Sequence, residues 1–186
     1  MEEWISKCFN LRSCYTGILK HAINKYCWND SENFYFDYDF VTKKQKTSLT
    51  LAGVFPLYFK IATAEQARGV AEKIEKYFLQ PGGLLTTIEK TGQQWDAPNG
   101  WAPLQFISVQ GLLSYGQENL AKIIAERWME VNEKVFRRTG KMLEKYNVED
   151  MDLEGGGGEY PTQDGFGWSN GVYLKFHEMF KIKNQN

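Results

Sequence analysis

Apolar side chains recur every three or four residues along most of the chain, which is the spacing that one face of an α-helix produces. The pattern is most regular between residues 117 and 138. The spacing predicts helices over residues 3–26, 64–79, 102–115, 117–138 and 168–181. No strand alternates with these helices in β-α-β order, so the pattern argues against a nucleotide-binding sheet.

Local signals mark the two ends of the helix over residues 64–79. Thr63 precedes it, and Gln66 follows three residues later, which predicts a capping box at the first turn. The sequence Pro81-Gly82-Gly83 predicts where the helix ends, because proline and glycine rarely continue a helix.

Two other stretches are less regular, but we expect both to be helical. The sequence of residues 47–62 indicates a buried helix that Pro56 kinks or divides. Residues 139–147 are expected to continue the preceding helix or to start another. In such a helix the side chains of Glu144 and Lys145 would diverge, because adjacent residues do not face each other on a helix.

Two long loops interrupt the helices, over residues 84–100 and 148–167. Structureless loops of this length in a compact domain are usually functional or disordered. Four consecutive glycines lie in the second loop, and no Gly-Lys-Ser/Thr follows them, so it is not a phosphate-binding loop. We interpret residues 148–167 as a lid over a site, because glycines supply hinge freedom. A flexible linker is the alternative.

Composition narrows the class of protein. The chain has 186 residues, 42% of them hydrophobic, and a formal net charge of −1. This length fits one domain, and the balanced charge lacks the basic footprint of a nucleic-acid-binding protein. No apolar run approaches the ~18 residues of a membrane span, so we expect no membrane partner.

Cysteine and histidine are too scarce to suggest a metal site. Three cysteines and two histidines are scattered without metal-ligand spacing, so we expect neither a metal nor another cofactor.

The first residues carry two acids where a signal peptide carries positive charge, and they lack a continuous apolar stretch. If Met1 is the true start, this predicts a cytoplasmic protein.

The loop segment QWDAPNGWAP, residues 94–103, combines aromatic and polar side chains. Trp95 and Trp101 could receive the apolar face of a sugar ring, and Gln94, Asp96 and Asn99 could bond its hydroxyls. Tryptophans that fill the core are the alternative.

Glycoside hydrolysis needs two carboxylates. Spacing alone does not select a pair from the candidate residues, which are Asp37, Asp39, Asp96, Glu144, Glu159 and Asp164.

Five segments in this order resemble the trehalases, which hydrolyse α,α-trehalose to two glucose molecules. The segments cover about residues 26–174, and they are DYD at 37–39, LQPGGL at 79–84, QWDAPNGWAP at 94–103, LEKY at 143–146 and GGGGEY at 155–160. The resemblance implies an all-α fold, the (α/α)6 toroid of two concentric helix rings. Residues 1–186 would form one partial catalytic domain, the C-terminal part of an incomplete ring.

The resemblance also implies an inverting mechanism with one carboxylic acid and one carboxylate base. The base falls on Glu144. Trp95 and Asp96 would line the site, and Glu159 would contact the sugar. The proton donor of the family is an aspartate in an upstream Ser-Gly-Trp-Asp segment, which these 186 residues lack. We therefore expect the chain to act with an upstream trehalase portion or by self-association.

Two further functions stay open. The chain could be an inactive trehalase remnant that serves as a sugar-binding or regulatory module, because it keeps the tryptophans and lacks the acid. A different toroid glycosidase, such as a relative of the α-glucosidases or glucoamylases, is a weaker alternative. Comparing the hydrolysis of trehalose with that of maltose would separate the second from a trehalase.

Overall fold

A computed structural model describes residues 16–153, 155–156 and 160–181 of the chain. Its helices are α1 over residues 16–26, α2 (Phe55–Tyr58), α3 (Ala64–Lys73), α4 (Ala102–Leu113), α5 (Glu118–Thr139) and α6 (Gly167–Phe176). Short turns of other helix types are Leu51–Val54, Ile74–Phe78 and His177–Lys181. The prediction of a helical chain is confirmed, although residues 3–15 of the first predicted helix lie outside the described residues.

Eight short strands form four antiparallel pairs among these helices. They are β1 (Trp28–Asn29), β2 (Phe34–Tyr35), β3 (Tyr38–Asp39), β4 (Lys44–Gln45), β5 (Leu79–Gln80), β6 (Gly83–Leu84), β7 (Asn99–Trp101) and β8 (Lys145–Asn147). Three pairs join strands that are neighbours in sequence, whereas β7 pairs with β8 across the whole of α4 and α5. This fourth pair, the β7–β8 ribbon, unites two distant segments.

Helix α4 lies at the centre of the packing, against α2, α5 and α6. Its sequence is apolar on most sides, which suits a helix that neighbours surround. Helix α5 is amphipathic, and its apolar face carries buried side chains such as Ile124, Trp128 and Val135. Helices α2, α4 and α6 thus lie side by side, with α5 packed against α4 and α6.

The start of α3 has the predicted capping box. The Gln66 backbone N–H donates to Thr63 Oγ1 at 3.1 Å, and the Thr63 N–H donates to Gln66 Oε1 at 2.8 Å. The helix axis ends near Leu79, where the chain turns through Pro81 and Gly82 into a hairpin. Both sequence signals therefore work as expected.

Replacing Thr63 with alanine should lower the free energy of unfolding by about 1 kcal/mol, because it leaves a first-turn N–H of α3 without its acceptor. Urea unfolding measures the change. Thr50→Ala is the matched control, because Thr50 precedes a helical turn without making a side-chain cap bond. Equal losses in the two variants would contradict the capping role of Thr63.

The helix predicted over residues 139–147 is wrong. Helix α5 ends at Thr139, and Gly140 adopts a left-handed conformation with φ of 70°, donating its N–H to Phe136 O at 2.7 Å. Glycine tolerates this conformation and commonly ends helices this way. The chain then becomes extended, because β8 (Lys145–Asn147) pairs with β7.

The helix predicted over residues 47–62 forms only in part. Leu51–Val54 make a 3₁₀ turn, and α2 follows with Pro56 in its first turn. Proline is tolerated there, because the first N–H groups of a helix have no intrahelical acceptor. Pro56 therefore opens a helix here. None of the described helices is both long enough and apolar enough to cross a membrane.

Candidate active site

The β7–β8 ribbon brings the segment at 94–103 against the segment that contains Glu144. Gly100 pairs with Tyr146, and Trp101 pairs with Lys145. A Cβ atom on Gly100 would lie 2.6 Å from Val148 Cγ1 and 2.8 Å from Leu84 O, so this position requires glycine. The ribbon thus places the aromatic loop beside the predicted base.

Glu144 is buried and held by the segment that follows the glycines. Its backbone N–H donates to Gln163 O at 2.9 Å, and its carbonyl accepts from Trp168 Nε1 at 3.0 Å. The Tyr160 hydroxyl donates to Glu144 Oε1 at 2.9 Å. Glu144 Oε2 is buried and has no hydrogen-bond donor among the described residues. One carboxylate oxygen is therefore held, and the other keeps its lone pairs.

Lys145 points toward Glu144, contrary to the direction expected from a helix. Its Nζ lies 3.5 Å from Glu144 Oε2 and donates to Gln94 Oε1 at 3.4 Å. The expectation was wrong because it assumed a helix, whereas Lys145 begins a strand. A buried cation thus lies beside the buried carboxylate.

The two tryptophans of the loop stack in parallel, with ring centroids 3.9 Å apart and planes 4° apart. Trp101 is 1% exposed, and its indole N–H donates to Gln94 O at 3.0 Å. Trp95 is 44% exposed, so one of its faces meets solvent while the other covers Trp101. Trp168 packs edge-to-face against Trp101 at 5.7 Å. Trp95 is therefore the outer ring of a buried aromatic stack.

Asp96 uses its carboxylate within its own loop. Its Oδ1 accepts from Thr87 Oγ1 at 3.1 Å, and its Oδ2 accepts from the Thr91 N–H at 3.3 Å and from the Thr91 hydroxyl. These bonds tie residues 87–91 to the tryptophan segment. The role of Asp96 at a sugar stays a prediction.

The glycine-rich segment passes close to the ribbon at Gly155 and Gly156. Asn99 Nδ2 donates to Gly156 O at 2.6 Å, and the Gly156 N–H donates to Asn99 Oδ1 at 3.1 Å. A Cβ atom on Gly155 would lie 2.9 Å from Lys145 O, so a side chain has no room there. Glu159, the predicted sugar contact, lies outside the described residues.

Two other candidate carboxylates, Asp39 and Asp164, have partners away from Glu144. Asp164 pairs with Lys141 at 2.5 Å, which lowers the pKa of Asp164 below its usual range. Hydrogen bonds, the largest from the Thr42 backbone N–H, lower the pKa of Asp39 to about 2. Across the described ranges, no three His, Cys, Asp or Glu side chains cluster closely enough to hold a metal ion.

Sequence reasoning missed two residues that build this site, Lys145 and Tyr160. Lys145 lies inside the LEKY segment that resembles trehalases, and Tyr160 ends GGGGEY. Their presence in those segments was the available signal. Their contacts depend on the β7–β8 ribbon, which no local pattern predicts.

Tyr146, in the β7–β8 ribbon, makes the stability of the folded chain depend on pH. The Leu143 N–H donates to the buried Tyr146 hydroxyl at 2.8 Å, and burial raises the pKa of Tyr146 to about 12. Below pH 10 the phenol is neutral in both the folded and unfolded chain. As the pH rises from 10, the unfolded chain loses this proton first. Stability should therefore fall by about 1.4 kcal/mol per pH unit until the folded phenol also ionises.

Urea unfolding between about pH 9 and pH 12, a range that brackets the ordinary tyrosine pKa of about 10, tests this expectation, with Tyr146→Phe as the comparison. The variant should be less stable at neutral pH, because the Leu143 N–H loses its acceptor. Its stability should fall less steeply in alkali. Burial also raises the pKa of Tyr35, so part of the slope remains. Parallel slopes would contradict the role of Tyr146.

A family model described as Trehalase matches residues 13–181. A protein named periplasmic trehalase from Citrobacter koseri is 48% identical over 164 residues, which are 88% of this chain and 29% of that protein. A putative periplasmic trehalase from Escherichia coli O157:H7 is 47% identical over the same shares of the two chains. The chain therefore spans about 29% of the length of these relatives.

Solved structures give the same picture of the fold. The neutral trehalase Nth1 from Saccharomyces cerevisiae matches with a TM-score of 0.76 and 31% identity, over 94% of this chain and 30% of that one. The GH63 mannosylglycerate hydrolase from Thermus thermophilus, in complex with glucose, matches with a TM-score of 0.64 and 23% identity, over 83% and 37% of the two chains. These matches confirm the prediction of an incomplete (α/α)6 toroid.

The expected cytoplasmic location is wrong, because relatives 47% and 48% identical to this chain are named periplasmic trehalases. The expectation assumed that Met1 begins the protein. Since the chain spans only 29% of those relatives, its first residues carry no information about an export signal.

Proposed function

The chain belongs to the trehalase family, and on this premise we propose that it forms the C-terminal part of an enzyme that hydrolyses α,α-trehalose to two glucose molecules. The observation that carries the proposal is the Glu144 carboxylate. It is 3% exposed, one oxygen is held by Tyr160, and the other has no described hydrogen-bond donor. A general base needs such an oriented carboxylate with a free lone pair.

In this proposal Glu144 activates water for an inverting displacement. Its Oε2 takes a proton from the water as the water oxygen bonds the anomeric carbon. The glycosidic C–O bond breaks, and a carboxylic acid protonates the departing glucose oxygen. Such a pair of carboxyl groups stands roughly 6.5–9.5 Å apart, which leaves room for the water. The acid would come from the upstream portion, in the segment that this chain lacks.

The surrounding residues would receive the sugar. The solvent-facing side of Trp95 suits the apolar face of a glucose ring, and Trp101 backs that ring from beneath. Asp96 would orient the tryptophan loop and contribute to the sugar site, and Glu159 would contact sugar hydroxyls. Residues 148–167 would cover the carboxylate.

A glucose-release assay tests the proposal. The chain is assayed alone and mixed with the part of the Citrobacter koseri periplasmic trehalase that precedes the matched stretch. We expect the chain alone to be inactive and the mixture to release glucose from trehalose. Activity of the chain alone that Glu144→Gln abolishes would mean that it supplies its own proton donor, by self-association. No hydrolysis in either form would contradict the proposal.

A sugar-binding module without turnover is the second candidate. Trp95 is exposed and fully supported within this chain, although the upstream acid is absent. Titration with trehalose, followed through the indole signal of Trp95, separates the two candidates. Millimolar binding that is lost in Trp95→Ala, together with inactivity in every mixture, would favour the module. Turnover in the mixture would exclude it.

A further inference from the structure

Lys145 is completely buried, with 0% of its surface exposed. Lysine almost never occupies such a place unless its charge is paired. Its Nζ lies 3.5 Å from Glu144 Oε2 and 3.4 Å from Gln94 Oε1. The side chain does not reach solvent, so it has no direct access to a sugar. Any role of Lys145 in the site must therefore be exerted through a residue that it contacts.

The neighbour with the opposite charge is Glu144, which is itself 3% exposed. Removing an ionised carboxylate from water is costly, and removing the positive charge beside it leaves that cost unbalanced. Tyr160 donates to Oε1 but brings no charge. The Lys145 ammonium faces Oε2, the oxygen without a described hydrogen-bond donor. The two groups therefore form a charge-balanced pair inside the site.

Two aromatic rings fix the position of the ammonium. Lys145 Nζ lies 5.5 Å from the centroid of the Trp101 ring and 5.0 Å from that of Tyr160. Cations are attracted to ring faces at such distances, and more strongly when they are desolvated. Trp101 is also the cross-strand partner of Lys145 in the β7–β8 ribbon. Two distant segments, residues 94–103 and the one that carries Tyr160, thus hold this charge in place.

We propose that Lys145 is a positioning residue for Glu144. Its ammonium balances the buried carboxylate and, held between the two rings, fixes the direction of Oε2, while Tyr160 holds Oε1. Lys145 acts on the reaction through Glu144 and makes no contact with sugar. The inference rests on the proposed role of Glu144 as the base, but its test does not use catalysis.

The test is a double-mutant cycle on the full 186-residue chain. Glu144→Gln, Lys145→Met and the double variant are unfolded in urea. Methionine keeps most of the length of the lysine stem and removes its charge. With Glu144 present, Lys145→Met should raise the unfolding equilibrium constant by at least about a hundredfold, because it leaves a buried carboxylate without its paired charge. In the Glu144→Gln background the same change should cost less than about fivefold.

The surface pair of Lys90 and Glu149 is the matched control. Its Lys90 Nζ and Glu149 Oε2 are 2.7 Å apart, and the Lys90 side chain is 65% exposed. The cycle of Lys90→Met and Glu149→Gln should show coupling below about fivefold, as for exposed pairs in general. The carboxyl ¹³C signal of Glu144, identified by its loss in Glu144→Gln, should move in Lys145→Met and stay in Lys90→Met.

Equal losses in both Glu144 backgrounds would overturn the proposal, because they would show that Lys145 contributes by packing alone. An unmoved Glu144 ¹³C signal would overturn it too. If Lys145→Met does not fold, the double variant decides: it should fold, and its failure to fold would also count against the proposal. Absence of trehalose hydrolysis would remove the proposed function and leave this coupling intact, so the two failures are distinguishable.

Discussion

Replacing Glu144 with glutamine should lower kcat for trehalose by about a thousandfold, the middle of the range for a lost general base. Glutamine has nearly the same shape, and its amide oxygen can still accept from Tyr160. It cannot take a proton from water at neutral pH. Because the substitution removes an interaction with the reacting water, KM should change much less than kcat. Initial rates of glucose release by the mixture of chain and upstream portion give both constants.

Glu126→Gln is the matched control for this prediction. It makes the same chemical change at an exposed carboxylate of α5 that pairs with exposed Lys122, outside the segment that would cover Glu144. Its kcat should stay within about twofold of the unsubstituted chain, since exposed pairs contribute little. Circular dichroism would show that both variants are folded. A folded Glu144→Gln variant with undiminished turnover would assign the base to another residue.

The second large effect is expected at Gly100. An alanine Cβ there would lie 2.6 Å from Val148 Cγ1, 2.8 Å from Leu84 O and 3.1 Å from Gln105 Nε2. Leu84 O already accepts a hydrogen bond from Gln105 Nε2 at 2.7 Å, so it has little room to retreat. Gly100→Ala should therefore destabilise the chain by about 3 kcal/mol, the upper part of the range for overpacking. Urea unfolding measures this loss.

Gly171→Ala tests whether the loss at Gly100 reflects lack of space. Gly171 lies inside α6, and apart from its own helical turn no described atom would lie within 4 Å of a Cβ atom there. Alanine at this helical position should stabilise the chain by up to about 1 kcal/mol. Opposite signs for the two variants are the expected result. Destabilisation at both positions to the same extent would point to a general intolerance of alanine and contradict the steric argument.

The elements that the sequence predicted well are those that depend on nearby residues. The helix at 117–138 appears as α5, and the capping box joins Thr63 to Gln66. Helix periodicity and caps act over a few residues, so a single sequence contains the necessary information. The segments resembling trehalases also identified the family, because each keeps its residue types and order.

The parts that were missed depend on distant partners. Residues 145–147 are extended because they pair with Asn99–Trp101, which no periodicity near Lys145 indicates. That error also reversed the predicted direction of the lysine side chain. Trp95 and Trp101 look equivalent in the sequence, yet one is 44% exposed and the other 1%. Trp101 is the one of the two against which a distant element, carrying Trp168, packs.

The long-range β7–β8 ribbon also has a consequence for the order of folding. Its strands are separated in sequence by α4 and α5, so pairing them closes the whole of that intervening segment. Closing so long an intervening segment costs more chain entropy than forming the local contacts of a helix. Contacts of this kind slow folding. On a growing polypeptide, the tryptophan loop would leave the ribosome well before Glu144. The β7–β8 ribbon should therefore assemble late, after the helices α4 and α5 that separate its two strands in sequence.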